Sequence, residues 1–171
     1  MKSVFLILSL LLITKSSLAQ GEQPDCNCCT EEYDHFDFWI GEWEVFNLKG
    51  DVVGTNSITA IQGNCVLQEN WTSASGGTGT SLNFYDNKNQ TWNQLWIDNS
   101  GNKLDITGGL KGNQMIMLSE EKYNTQNDVH FIDRITWTPN ENESVRQHWE
   151  RTTDNGITWK TLFDGLYKRK S

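Results

Sequence analysis

Between Phe36 and the C-terminus, turn-forming residues interrupt the chain so often that almost no interval could hold a crossover helix. Lys49-Gly50-Asp51, Asn99-Ser100-Gly101-Asn102, Lys111-Gly112-Asn113 and Asp154-Asn155-Gly156 contain residues that tolerate positive φ. Asp86-Asn87-Lys88-Asn89 and Pro139-Asn140-Glu141-Asn142 supply Asx turns. The intervening segments read as strands near 38–47, 53–61, 65–72, 79–85, 91–98, 103–109, 114–121, 128–138, 144–152 and 158–168. Parallel neighbours need connections of about a dozen residues or more, so these strands must pair in sequence and antiparallel. A sheet of about ten strands tends to twist, curl and close, which removes its exposed edges. The expected fold is therefore all-β: one antiparallel up-and-down β-barrel of about ten strands over residues 36–171, with a β-sandwich as the alternative. A propeller would need a repeat, and none is present. A short helix is expected somewhere in 29–38, where Thr30-Glu31-Glu32 resembles a helix start.

The first 19 residues have the character of a secretory signal peptide. Lys2 precedes an apolar run from Val4 to Ile13, and Ser17 and Ala19 place small residues before a cut after Ala19. That run is shorter than the roughly 20 residues that span a bilayer. A secreted or periplasmic protein with no membrane span is expected, with residues 20–35 as a polar, cysteine-containing arm. Outside the cytosol, Cys26, Cys28, Cys29 and Cys65 are disulfide candidates, with one link from the arm to Cys65. A metal site on Cys26, Cys28 and Cys29, completed by His35 or Asp34, has suitable atoms but an unusual spacing. The formal charge of −8 grows more negative when Lys2 and Lys15 leave with the leader. Such a chain repels phosphate backbones, which makes nucleic acid a poor partner.

Eight tryptophans stand among 171 residues, and several lie two positions from a polar side chain. Residues two apart on a strand share a face. Glu69 therefore shares a face with Trp71, Gln94 with Trp92 and Trp96, and Gln147 with Trp149 and Arg151. With that face turned inward, the interior is an aromatic cavity containing a few polar groups, the usual make-up of a small-molecule site. Buried polar groups need partners, and Glu69 has Arg151 or Arg134 as candidates. Arg134 has the opposite parity to Trp137, so both point inward only across a bulge.

Phe38-Trp39-Ile40-Gly41-Glu42-Trp43 contains a Gly-x-Trp that resembles the opening of the first strand in calycins, the lipocalin-like barrels. That resemblance implies that Trp43 closes the barrel floor and that Arg151 or Arg169 packs over it. Gly63-Asn64-Cys65-Val66-Leu67-Gln68-Glu69-Asn70-Trp71, Gly79-Thr80-Ser81-Leu82-Asn83-Phe84-Tyr85-Asp86 and Trp92-Asn93-Gln94-Leu95-Trp96-Ile97-Asp98 extend the likeness, as do Ile135-Thr136-Trp137 and Val145-Arg146-Gln147-His148-Trp149-Glu150. Together they resemble an uncharacterised family of secreted bacterial calycin-like proteins, which implies the barrel and no particular activity. Thr152-Thr153-Asp154-Asn155-Gly156-Ile157-Thr158-Trp159 is similar to the Asp-box hairpin, a structural turn.

The sequence has no Gly-x-Ser-x-Gly elbow, phosphate loop or His-Glu-x-x-His, and no cofactor is expected. Gly76-Gly77-Thr78-Gly79 reads as a rim loop. Glycoside hydrolysis needs two flanking carboxylates, and Glu69 is the one acid placed inside the wall, with Asp98 and Asp105 nearer strand ends. The leading expectation is a non-enzymatic protein that holds a small, partly apolar molecule. The alternatives are a lyase, isomerase or hydrolase using Glu69 as general acid or base, and a structural or protein-binding barrel without a pocket.

Overall fold

The computed structural model describes residues 26–170. The expected leader and residues 20–25 of the arm lie outside the described residues. A four-residue helix, α1 (Glu31–Asp34), and a 3-10 turn (Asp37–Trp39) precede eleven strands. These are β1 (Gly41–Phe46), β2 (Val52–Ile61), β3 (Val66–Ser73), β4 (Thr78–Asp86), β5 (Thr91–Asp98) and β6 (Lys103–Lys111). They continue with β7 (Gln114–Leu118), β8 (Lys122–Asn124), β9 (Val129–Pro139), β10 (Val145–Thr152) and β11 (Lys160–Arg169).

All described pairings are antiparallel. β1 to β7 pair in order, β7 pairs with β9, β9 with β10, β10 with β11, and β11 returns to β1. The ring is a closed barrel of ten strands, and a sandwich is excluded. The sequence reading missed β8, a short hairpin laid on the start of β9, and ran the preceding strand on to 121. The ladder of β7 stops because Ser119 turns its hydroxyl to the Asp133 amide (2.9 Å), and the chain then leaves the wall. Of the segment 76–79 read as a rim loop, Thr78 and Gly79 belong to β4, as the strand read over 79–85 placed Gly79.

The ends of the barrel differ. The N-terminal turns lie across the end where β1, β3 and β5 begin, and their aromatic side chains plug it. Phe36 stacks on Trp39 with centroids 5.0 Å apart and meets Trp137 and Trp92 edge-on. The Trp43 indole donates to the Trp39 carbonyl (2.9 Å), and the Trp92 indole donates to the Glu32 carbonyl (3.0 Å). Met115, Ile106, Leu67 and Ile58 complete this buried cluster. Fully burying each large apolar side chain contributes roughly 1.5–3 kcal/mol, so the stability of the fold is concentrated at this floor.

Arg169 covers Trp43, its guanidinium 4.2 Å from the ring centroid while Nη1 donates to the Ile40 carbonyl (2.6 Å). Gly41 makes room for it. A Cβ there would lie 1.8 Å from Nη1, and its φ of +145° suits glycine. Of the two arginines considered as the cover, Arg151 lies elsewhere.

Both disulfides draw on the arm: Cys26 pairs with Cys29, and Cys28 pairs with Cys65 at the start of the wall. With all four sulfurs paired, the thiolate site considered on Cys26, Cys28, Cys29 and His35 does not form. Disulfides fit an oxidising compartment. At Thr152–Trp159 the Asp-box pattern shapes a turn. Asp154 accepts from the Thr158 amide (2.9 Å), the Thr158 hydroxyl (2.6 Å) and the Thr152 hydroxyl (2.7 Å), which hold its pKa down at about 2. Among the described residues, no helix is long and apolar enough to cross a membrane.

Replacing Cys28 and Cys65 together by serine removes a link across 37 residues of sequence. The expected loss of stability is about 4 kcal/mol from loop-closure entropy. Urea denaturation measures it; an unchanged midpoint would mean that packing alone holds the plug.

Candidate functional site

Alternation along the strands places Val53, Glu69, Trp71, Gln94, Trp96, Leu104, Ile135, Gln147, Trp149, Phe163 and Tyr167 around one cavity of about 450 Å³. It lies above the plug, in the half of the barrel opposite the N-terminal turns. A second space of about 510 Å³ shares Trp71, Trp96, Leu104 and Trp149 with the first and adds Asp98, Lys103, Lys122, Phe131, Asp133 and Arg151. The outer space is therefore the mouth of the inner one. Barrel diameter grows with strand number, about eight strands already enclosing side chains or one small ligand, and these ten leave a volume within the range of small-molecule sites.

The aromatic wall depends on glycines. A Cβ on Gly79 would lie 2.1 Å from the Trp96 ring, one on Gly54 2.4 Å from Trp71, and one on Gly165 2.5 Å from Phe163. Each ring occupies the space that a neighbouring side chain would otherwise fill, which keeps it against the wall. Trp71 and Phe163 meet edge to face at 6.2 Å. Trp149 is fixed from above by its indole N–H, which donates to Asp133 (3.2 Å).

Below the rings lies a buried polar belt that crosses from β10 to β5. The Tyr167 hydroxyl donates to Gln147, and Asn56 reaches Tyr167 (3.4 Å) and donates to Glu69 (2.7 Å). The Ser81 hydroxyl donates to the other Glu69 oxygen (2.6 Å), Asn83 donates to Ser81 (2.8 Å), and Gln94 donates to Asn83 (2.8 Å). Strand register creates the belt, since Glu69 faces Ser81 across β3–β4 and Asn83 faces Gln94 across β4–β5. Burial pushes the Glu69 carboxyl up to about 7, and the Ser81 and Asn56 hydrogen bonds partly oppose that rise. Burial also lifts Tyr167 well above its ordinary value, aided by the nearby Glu69 charge.

Glu69, Trp71, Gln94, Trp96, Gln147 and Trp149 meet at the cavity. Two other expected lining residues do not. Trp92 has the inward face but sits in the plug against Phe36 and Tyr85, because four residues of strand, about 13 Å, separate it from Trp96. Arg151 is at the mouth, where it binds Asp133 through Nε (2.8 Å) and Nη2 (3.0 Å) and stacks on Phe131. It does not pair with Glu69, and neither does Arg134, which grips Glu150 on the outer face (2.8 Å). The partners of Glu69 are the neutral Asn56 and Ser81, which the sequence reading missed. Ser81 and Asn83 alternate two apart on β4, the signal by which they could have been found. His148 bonds Thr161 outside the barrel (3.0 Å).

The chain matches no protein-family model and no curated protein. What can be said of function therefore comes from this geometry.

In the unfolded chain Glu69 ionises near 4.5, and in the barrel near 7. Between those values the folded protein holds a proton that the unfolded chain has released, so stability falls as pH rises through the window. Glu69→Gln is expected to gain on the wild type across it, by at most about 3 kcal/mol, with the two converging below pH 4.5. Urea denaturation at pH 4.5 and pH 8 measures this. A difference independent of pH would mean that Glu69 ionises normally.

Proposed function

We propose that this chain is a secreted binding protein of the calycin kind that holds a small, partly apolar molecule. One observation carries the reading: a 450 Å³ cavity with Trp71, Trp96 and Trp149 on its walls and Glu69, Gln94 and Gln147 at its inner end. Rings provide contact area, and a few convergent polar groups orient a guest. A plugged floor beneath an open mouth gives a single way in. Secretion is supported by the leader-like N-terminus and by the two disulfides. Calycin kinship is supported by Gly41, Trp43 and Arg169 at the floor.

The neutral fluorophore N-phenyl-1-naphthylamine, which brightens in apolar surroundings, is expected to bind the protein and to quench the cavity tryptophans. Gly79→Ala drives the Trp96 ring into the cavity, and the fluorophore is expected to bind it about tenfold more weakly, equivalent to roughly 1.4 kcal/mol. Failure of the wild type to bind either this fluorophore or a small indole of any charge would reject the reading.

A second reading has a specific observation in its favour. A buried carboxyl poised near 7 in an apolar cavity suits a general acid or base. Among the described residues Glu69 is the sole acid on the inner cavity, which points away from glycoside hydrolysis and towards a lyase, an isomerase or another hydrolase. Any turnover found with such substrates is expected to vanish in Glu69→Gln; turnover that survives removes Glu69 from the chemistry.

A further inference from the structure

Glu69 stands at the inner end of the cavity, and among the described residues no basic side chain bonds to it. Its oxygens accept one hydrogen bond each, from Asn56 and Ser81, and a carboxylate has room for about four. Arg151, which has the inward parity, is held by Asp133 at the mouth, and Arg134 faces outward onto Glu150. Asn56 Oδ1, buried and without a hydrogen-bond partner, leaves a further acceptor unused in the same belt.

Over this acidic end stand Trp71, Trp96, Trp149, Phe163 and Tyr167. Aromatic faces carry negative quadrupole charge and attract cations, most strongly when water is excluded. A neutral guest would use the rings and leave the carboxylate uncompensated, which is costly in a buried site. An anion would meet repulsion from the carboxylate and from the ring faces. A guest with one positive charge and an apolar body satisfies both features.

We propose that the cavity takes an organic monocation, an amine or substituted ammonium with an aromatic or aliphatic body. Its charged nitrogen sits against Glu69, and its body lies among Trp71, Trp96 and Trp149. This rests on the binding reading above and adds the chemical class of the guest. The surroundings agree with it. The chain as a whole is acidic, which raises the local concentration of cations. At the mouth Lys103 is held by Asp105, Arg151 is held by Asp133, and Lys122 is also near Asp133.

Binding of this kind depends on pH. The titratable group that faces Glu69 is Tyr167 on β11, whose hydroxyl burial keeps neutral. β2, β4, β5 and β10 meet the site with Asn56, Ser81, Asn83, Gln94 and Gln147, and β1 with Val45, none of which titrates. Affinity for a cation is therefore expected to fall by about tenfold for each pH unit below the point where Glu69 takes up its proton.

Three probes share one indole body: tryptamine is cationic, tryptophol neutral and indole-3-acetate anionic. In calorimetric titrations at pH 8, tryptamine is expected to bind at least about tenfold tighter than tryptophol, with indole-3-acetate weakest. At pH 5.5, where tryptamine is still charged, its advantage over tryptophol is expected to shrink by about tenfold or more. In Glu69→Gln, with folding checked by circular dichroism, the ratio of the two affinities is expected to fall to about one. Equal or tighter binding of tryptophol, or a preference that survives in Glu69→Gln, overturns the proposal. If N-phenyl-1-naphthylamine binds while tryptamine shows no preference or no binding, the cation proposal falls and the binding reading stands. If neither the fluorophore nor any indole binds, both fall.

Discussion

Four cross-strand pairs, from Trp43↔Arg169 to Phe46↔Leu166, join the first strand of this protein to its last. Without them the chain would be a curled sheet with two raw edges and no inside. With them every second residue of ten strands is committed to an enclosed space, whatever its polarity. Closure also explains the arrangement at the seam, where Arg169 lies over Trp43 and fills the space left by Gly41. The charged end of the last strand seals the barrel floor from outside, and the apolar indole seals it from within.

Closure has a consequence for the asymmetry of the interior. A ten-strand barrel encloses more volume than inward-facing side chains of ordinary size can fill. The chain fills half of it by folding Phe36 and Trp39 back under the wall, tied down by Cys28–Cys65. Among the described residues, no comparable segment closes the other half. There the large rings are drawn aside onto Gly54, Gly79 and Gly165, which leaves the cavity of about 450 Å³ between them. The polar belt marks the boundary between the two halves. Its six hydrogen bonds from Gln147 round to Gln94 hold side chains that would otherwise seek water or collapse inward.

Much of this was legible in the residues. Turn chemistry spaced the strands to within a few positions, and parity put Glu69 with Trp71, Gln94 with Trp96, and Gln147 with Trp149 on one face. The Gly-x-Trp resemblance anticipated the floor at Trp43 and offered Arg169 as one of two covers. What parity cannot supply is height along the barrel or identity of neighbours across it. Trp92 has the right face and the wrong level, so it joined the plug. Arg151 has the parity of Gln147, yet it pairs with Asp133, its cross-strand neighbour on β9 at the rim, five strand pairings around the ring from Glu69. Ser81 and Asn83 are small and polar, and their weight in the site arises only from the register of β4 against β3 and β5. The three glycines are legible as functional only once a ring is seen resting on each.

A barrel core made for stability alone would replace Glu69 with an apolar residue, since a carboxyl forced up to about 7 opposes folding at neutral pH. Neighbouring Asn56, Ser81 and Asn83 would then have no reason to be polar. The chain instead sets three buried polar residues, Asn56, Ser81 and Asn83, around one carboxyl, links them by neutral hydrogen bonds, and places no arginine against it among the described residues. Arg151, the arginine with inward parity, is tied to Asp133 at the mouth. A carboxyl supported in this way is held in position without being neutralised. Such an arrangement has a physical rationale when the compensating charge arrives from outside and leaves again.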